Sequence, residues 1–220
     1  MKKYFVKLKS GDSSTLVNML VKHIAFSKED AILNITRGSV WVDNKRETNP
    51  DRIITTELVA VYKPDFPVGR FVLDPASIVF EDNDLLVVHK SSGLDTVPTP
   101  MCATDNLLYG VGVYLRSKGY QYEISPINRL DKPTQGLTIF AKNKKTEIAL
   151  HELFRLRKIK KLYLAVTPQI EMKSNEMIID EPVEWKGKVQ EAVTHIKFIK
   201  HHNSKSYFRV YPLTGRFHQI

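Results

Sequence analysis

Residues 127–142 read INRLDKPTQGLTIFAK, and this stretch says more about the fold than any other part of the chain. It places Arg129 and Asp131 two positions apart, just before a turn at residues 133–136. In an extended segment, residues two apart point to the same face, so we expect both side chains to project into one cleft with Leu130 anchored behind them. Residues 137–141 predict a buried strand. A carboxylate fixed at the edge of a sheet beside a guanidinium is a candidate catalytic group.

This stretch resembles the signature of the RluA-type pseudouridine synthases, which convert uridine to pseudouridine in structured RNA. The family pattern is His-Arg-Leu-Asp, then a Thr-Ser-Gly turn, then an apolar strand that ends Phe-Ala-Lys. The chain differs at Asn128 and Gln135, where the family has His and Ser, and it keeps the Arg, Leu, Asp, Thr and Gly. An ordinary strand-entry turn with a surface ion pair explains Arg-x-Asp, but it does not explain a match that continues to Ala141 and Lys142.

The resemblance implies three catalytic residues. Asp131 initiates cleavage of the glycosidic bond, Arg129 fills the space left by a flipped nucleotide, and Tyr163, in a Lys-x-Tyr-x-Ala run, stacks on the uracil. Residues of the same motifs that support them are Asn128, Thr134, Gly136 and His218. The resemblance implies no cofactor and no metal. The single cysteine, Cys102, can form neither an internal disulfide nor a Cys-rich zinc site.

Residues 211–220 read YPLTGRFHQI and resemble a further family motif, Leu-x-Thr-Gly-Arg-x-His-Gln-Ile-Arg. In the family, the last arginine pairs with the catalytic aspartate, and several strands follow it. The sequence stops one residue before that arginine. We therefore expect either a fragment or a short form, with a synthase fold that is incomplete at its C-terminal end. The alternative to an active enzyme is a catalytically inactive, shortened RNA-binding protein of the same fold.

The N-terminal part predicts a small domain of its own. Residues 13–15, Ser-Ser-Thr, offer a cap for a helix that begins at Leu16, a second helix follows from Ser27, and residues 37–45 predict a turn, a short strand and a second turn. Two helices followed by such a strand resemble the S4-like RNA-binding domain, and a generic α+β domain is the alternative. Residues 63–70 are Pro-rich and predict a linker. We place an S4-like domain at 1–72 and the synthase domain at 73–220.

The second domain mixes many strands with few helices. Residues 78–94 predict a hairpin and resemble the family's first motif, an apolar strand ending Asn-Lys-Pro-x-Gly, with His89 and Ser91 in place of the Asn and the Pro. Residues 144–161 predict a helix and residues 160–167 a strand. These patterns indicate the α+β class, with a mixed, mainly antiparallel sheet in the synthase domain.

The formal net charge of +9 favours a polyanionic partner, although a solvated, lysine-rich surface would give the same value. The candidate partner is structured RNA, with rRNA favoured over tRNA. The basic residues predicted to bind it are Lys28, Arg37, Lys45, Arg46, Lys158, Lys160, Lys161 and Arg216. Neither a signal peptide nor an 18-residue apolar stretch is present, so we expect a cytoplasmic monomer without a membrane partner.

Two further classes of protein fit the sequence less well. An aspartate-nucleophile hydrolase would hold Mg²⁺ with additional acidic residues, and the sequence around Asp131 offers none. A purely structural, ribosome-associated S4 protein would leave residues 77–220 without a function. The synthase therefore remains the leading hypothesis.

Overall fold

The computed structural model describes residues 2–9, 12–64, 69–172, 174–216 and 219–220. The chain divides into two compact units, Met1–Glu147 and Ile148–Ile220. The described residues form fifteen strands and four α-helices, and the paired strands are antiparallel. The predicted class, α+β with mainly antiparallel sheets, is confirmed. Within the described part of the chain, no helix is long and apolar enough to cross a membrane.

The first unit begins with a four-stranded sheet packed against two helices. Its elements are β1 (Lys2–Val6), β2 (Ser14–Thr15), α1 (Leu16–Ile24), α2 (Lys28–Thr36), β3 (Val40–Val42), β4 (Lys45–Glu47), β5 (Ile53–Ile54) and β6 (Val59–Lys63). The strand order is β1-β6-β3-β4, with β2 and β5 paired separately. Thr15 Oγ1 accepts from the Asn18 N–H, so the cap expected within residues 13–15 is Thr15, and Ser27 Oγ accepts from the Asp30 N–H at the start of the second helix.

One face of this sheet forms a hydrophobic core with the helices, because every second residue of a strand points the same way. The fully buried side chains of this core include Leu16, Met19, Leu20, Ile35, Val40, Val59 and Val61. A second core uses residues between Leu73 and Phe140. The boundary placed near residue 72 falls between the residues of these two clusters, and the boundary and the S4-like assignment both stay predictions.

The rest of the first unit is a three-stranded sheet and a helix. Its elements are a short 3-10 helix (Pro75–Ser77), β7 (Ile78–Glu81), β8 (Leu85–Lys90), α3 (Leu107–Ser117) and β9 (Gly136–Ala141), with the strand order β7-β8-β9. The predicted hairpin and the predicted strand are confirmed. Helix α3 was not predicted, since Gly110 and Gly112 both weigh against a helix. Gly110 is needed there because a Cβ at this position would lie 2.5 Å from Phe71 Cδ1.

The helix α4 (Lys144–Arg155) contains the position at which the two units are divided. It ends six residues before the predicted end at 161, so that prediction was wrong. Arg157 adopts a left-handed conformation (φ 55°), the Arg157 N–H donates to Phe154 O and the Lys158 N–H donates to Leu153 O. This is the usual hydrogen-bond pattern of a helix C-terminus, made here without the glycine that would have signalled it in the sequence.

The second unit consists mainly of strands. They are β10 (Tyr163–Pro168), β11 (Glu176–Asp180), β12 (Val183–Trp185), β13 (Lys188–Gln190), β14 (Val193–His202) and β15 (Lys205–Pro212). Strands β10, β15, β14 and β11 form one sheet in that order, and β12 pairs with β13 as a separate hairpin. The predicted strand at 160–167 is therefore present, beginning at Tyr163.

Candidate active site

The segment before Asp131 is fastened along the edge of β9. The Ile127 N–H donates to Ile139 O at 2.8 Å. The Asn128 side chain continues the pairing: Nδ2 donates to Leu137 O at 3.0 Å, and Oδ1 accepts from the Ile139 N–H at 2.9 Å. A side-chain amide thus makes the two hydrogen bonds that a neighbouring strand would make. The chain therefore reaches Arg129 in a defined direction.

Leu130 separates the two charged residues and is anchored by its backbone. The Thr96 hydroxyl donates to Leu130 O at 2.6 Å and accepts from the Leu130 N–H at 3.1 Å. The Leu130 side chain is 8% exposed, whereas Arg129 is exposed and Asp131 half-buried. This alternation is what the spacing of Arg129 and Asp131 predicts, because neighbours in an extended segment point to opposite sides.

A tight turn follows Asp131. Its carbonyl accepts from the Thr134 N–H at 3.0 Å. Gly136, which opens β9, has a φ of 141°, in a region where residues with a Cβ are strained. It stands opposite Lys90 in the pairing of β8 with β9. The turn and the strand therefore require glycine at this position for its backbone conformation.

Lys90 ends β8 with a fully buried side chain, and sequence reasoning did not single it out. Its ammonium donates to three backbone carbonyls: Leu94 O at 2.7 Å, Ser91 O at 3.1 Å and Lys132 O at 3.3 Å. The last of these belongs to the residue directly after Asp131. One buried cation therefore joins the loop after β8 to the turn that carries the candidate catalytic carboxylate.

The loop after β8 contacts the same turn through other groups. The Gly93 N–H donates to Lys132 O at 2.8 Å, and Ser92 Oγ donates to Pro133 O at 2.7 Å. Lys132 Nζ lies 3.5 Å from a carboxylate oxygen of Asp95. Nearly all of these contacts hold backbone atoms of the turn, so its shape depends little on which side chains it carries.

Charge also links Lys90 to the site. Burial lowers the pKa of the Lys90 ammonium, and the carboxylates of Asp95 and Asp131 oppose that shift by favouring its charged form. The sequence shows Lys90 only as a lysine at the end of an apolar strand. Its hydrogen-bond partners lie in two loops, so they could not be identified from the spacing of residues along the chain.

The predicted RNA-binding residues of the first unit differ in their surroundings. Lys28 and Lys45 are exposed. Arg37 donates to two side-chain oxygens nearby in the sequence. Arg46 donates to two backbone carbonyls and lies over Trp41, 4.7 Å from the ring centroid. Both arginines already have hydrogen-bond partners within the protein, and an RNA-binding role for any of the four stays a prediction.

Tyr163 lies in the second unit, where it opens β10 opposite Val210 of β15. It is half-buried, whereas its neighbour Leu164 is 75% exposed. Successive residues of this strand therefore alternate in exposure, and the face that carries Leu164 and Val166 is the exposed one. His218, predicted as a supporting residue, lies outside the described residues.

Basic side chains gather around Lys161 in the second unit. Lys161 Nζ donates to Thr214 O. Burial lowers the pKa of Lys161, and the nearby charges of Arg157 and Arg216 lower it further, so three cations lie close together. Arg216 is oriented by donation from Nε to Glu191 O at 2.9 Å. The predicted residues Lys158 and Lys160 are exposed beside this cluster in the sequence.

Across the described ranges, no group of three or more His, Cys, Asp and Glu side chains could hold a metal ion. The expectation that the chain needs neither metal nor cofactor stays a prediction.

Residues 84–220 match the model of a protein family described as RNA pseudouridylate synthase. The chain belongs to this family. It is 31% identical over 209 residues to ribosomal large subunit pseudouridine synthase D of Neisseria meningitidis, a match that covers 89% of this chain and 55% of that protein. It is 33% identical over 165 residues to the dual-specificity RNA pseudouridine synthase RluA of Vibrio vulnificus, covering 67% of this chain and 63% of that protein.

These relatives confirm the RluA type inferred from the motifs, and the chain spans between about half and two thirds of their length. Among solved structures, human RNA pseudouridylate synthase domain containing 4 aligns with a TM-score of 0.54 and 27% identity, covering 66% of this chain and 61% of that one. The synthase fold of the catalytic part is thereby confirmed.

Proposed function

We propose that this protein is an RNA pseudouridine synthase that isomerises uridine to pseudouridine in structured RNA, with Asp131 as its catalytic carboxylate. The observation that carries the proposal is the Asp131 turn, whose backbone is held by Lys90 and Thr96 and approached through Asn128. Such a turn keeps one carboxylate in a fixed position at the edge of a sheet, as a reaction at a single carbon atom requires.

The reaction is an internal rearrangement. The target uridine is flipped out of the folded RNA, and the bond between N1 of the uracil and C1′ of the ribose breaks. The uracil turns, C5 bonds to C1′, C5 loses its proton and N1 gains one, so that atoms and electrons balance without a cofactor. Asp131 either attacks C1′ or removes the proton at C2′, and both roles need the ionised carboxylate.

Other residues are assigned roles in binding. The exposed Arg129 would occupy the space left by the flipped nucleotide and pair with a phosphate. Tyr163 would stack on the uracil. The cluster of Lys161, Arg157 and Arg216 would neutralise further phosphates, which contributes affinity without reading sequence.

The proposed substrate is ribosomal RNA in preference to tRNA. Its support is the name of one relative, ribosomal large subunit pseudouridine synthase D, whereas the RluA relative is named as having dual specificity. We further propose that the protein acts in the cytoplasm as a monomer. Carbodiimide treatment and primer extension of large-subunit rRNA and bulk tRNA, each incubated with the protein, will show which one gains pseudouridine.

The central test is tritium release from RNA labelled at C5 of uridine. We expect Asp131→Ala and Asp131→Asn to abolish release while RNA affinity and circular dichroism stay those of the wild type. Asp180→Asn, an exposed carboxylate on β11, is the matched control and should release tritium normally. Undiminished release by both Asp131 variants would exclude this carboxylate. A wild-type chain that binds RNA without releasing tritium would favour the inactive RNA-binding alternative.

A further inference from the structure

The N-terminal four-stranded sheet has an outer face that differs from its core face. Tyr4 and Val6 of β1 pack against the core, so Lys3 and Phe5 point to the other side. Lys3 stands opposite Tyr62 of β6 in the antiparallel pairing. The outer face therefore carries aromatic and basic side chains next to one another.

The rings and cations on this face are in contact. Lys3 Nζ lies 4.6 Å from the ring centroid of Phe5 and 4.7 Å from that of Tyr62. The Phe5 side chain is 59% exposed, and Lys7, two positions further along the chain, is exposed as well. Residues 2–9 contain four lysines and no acidic residue. We call Lys3, Phe5, Lys7 and Tyr62 the β1 face.

On this same outer face, the part of the sheet formed by β3 and β4 is covered by the chain itself, since Phe5, Ala60 and Trp41 stand opposite one another in the strand pairing. Trp41 Nε1 donates to Pro100 O at 3.0 Å, and Arg46 donates to Thr99 O at 2.6 Å. A loop of the first unit therefore covers the aromatic and basic pair on β3 and β4. Phe5, on β1, keeps most of its surface exposed.

Protection of a sheet edge accounts for only part of this arrangement. Strand β1 is at the edge of its sheet, and lysines on edge strands hinder pairing with other chains. An exposed phenylalanine on the same strand works against that protection. A ring flanked by two lysines on a pleated surface is instead the combination that binds unpaired nucleotides, because the ring stacks with a base while the cations neutralise the adjoining phosphates.

We propose that the β1 face binds an unpaired segment of RNA, with a base stacked on Phe5 and phosphates held by Lys3 and Lys7. The proposal rests on the proposed function in one respect, that the RNA bound is the substrate. Its site is separate in sequence from the Asp131 turn. A negatively charged RNA strand fits the β1 face, because residues 2–9 carry no negative side chain.

Fluorescence anisotropy with the full chain tests the stacking contact. The probes are a labelled 12-nucleotide uridine strand and an RNA duplex of the same length. We expect Phe5→Ala to weaken binding of the single strand about tenfold, within the range for loss of one base–aromatic stack, with little change for the duplex. The matched control is Phe80→Ala, which removes a ring 50% exposed on β7 beside the acidic Glu81 and should change neither affinity.

Two further measurements make the test specific. Phe5→Trp should keep the affinity for the single strand and Phe5→Leu should lose it, since leucine preserves apolar bulk without a ring. Replacing both Lys3 and Lys7 by alanine should lower the slope of log affinity against log salt by about 1.4, or about 0.7 for each phosphate contact to a single strand. Thermal unfolding should show all three Phe5 variants folded, because the residue is largely exposed.

Equal affinity of wild type, Phe5→Ala and Phe5→Leu for the single strand would overturn the proposal, as would an equal loss in Phe80→Ala. The proposed catalytic function is scored separately. Asp131→Ala should bind the single strand like the wild type and release no tritium, so failure of the β1 face and failure of the Asp131 assignment give different results.

Discussion

Replacement of Lys90 by methionine tests the architecture of the candidate site most directly. Methionine is unbranched and of similar length, so it can occupy the same space without the charge. The ammonium has three backbone acceptors, of which Lys132 O keeps the Gly93 N–H as a second partner. Ser91 O and Leu94 O lose the donor found here. At about 1.5–3 kcal/mol for each hydrogen bond that involves a charged group, the loss is about 3–6 kcal/mol.

Removal of a buried charge recovers part of that loss, because the ammonium no longer has to leave water when the protein folds. We therefore expect Lys90→Met to lower the free energy of unfolding by about 2–3 kcal/mol, measured by urea denaturation at pH 7. A matched control is Lys145→Met, an exposed lysine of α4, which should change stability by less than about 0.5 kcal/mol.

The buried Lys90 ammonium makes the free energy of unfolding depend on pH in a definite direction. Because burial lowers the pKa of Lys90 below its ordinary 10.5, the unfolded chain holds this proton more tightly than the folded protein does. The free energy of unfolding of the wild type should therefore gain a contribution as the pH rises through the folded pKa towards 10.5, and Lys90→Met should lack it. Comparison of the two proteins cancels the titration of the other residues.

The same variant should also lower the rate of catalysis, because the turn that carries Asp131 loses the hydrogen bond from the Lys90 ammonium to Lys132 O. A misplacement of about 1 Å can lower a rate about 100-fold, so we expect kcat to fall by about that factor, with KM for RNA nearly unchanged. Lys90→Arg should not restore the rate, since a guanidinium is too large for this enclosed position. Wild-type stability together with a wild-type kcat in Lys90→Met would refute the reasoning.

Three further predictions concern the elements around the site. Asn128→Ala removes both side-chain hydrogen bonds to β9 and should lower the free energy of unfolding by about 2 kcal/mol in urea; an unchanged midpoint would contradict the pairing. Thr138→Val should raise the free energy of unfolding by about 1 kcal/mol, because the Thr138 hydroxyl is buried and has no hydrogen-bond partner among the described residues; a lower melting temperature would show that it has one. Burial raises the pKa of Glu81, but hydrogen bonds from Tyr114 and Lys142 outweigh this effect and hold the pKa at about 2. Ionised Glu81 should therefore contribute about 3 kcal/mol to the free energy of unfolding above pH 4.5, and this contribution should be lost as the pH falls towards 2. In an acid titration of stability, Glu81→Gln should not show that loss.

The parts of the fold that depend on neighbouring residues could be predicted from the sequence. Thr15 and Ser27 cap the first two helices because a side-chain oxygen two or three positions before a free N–H can reach it in any context. The hairpin and β9 follow from alternation and turn residues. The same local information places Leu130 in the core between two charged neighbours.

The parts that depend on distant residues could not be predicted. Helix α3 forms although it contains two glycines, because Gly110 makes room for Phe71, and nothing in the local sequence shows that contact. The end of α4 depends on the left-handed conformation of Arg157, which the sequence does not indicate because arginine rarely adopts it. In the sequence, Lys90 looks like an ordinary lysine at the end of a strand. Only the structure shows that its ammonium donates a hydrogen bond to the carbonyl of Lys132, 42 positions away.

The departures from the family pattern become understandable from the way the turn is held. Lys90, Thr96 and Ser92 all bind backbone carbonyls at residues 130–133, and Asn128 binds backbone groups of β9. Contacts of this kind do not depend on the side chain at the position they hold, and they are present here with Gln135 in place of the family's serine. Asn128 has a donor and an acceptor on one planar group, and these match the carbonyl of Leu137 and the N–H of Ile139 on β9.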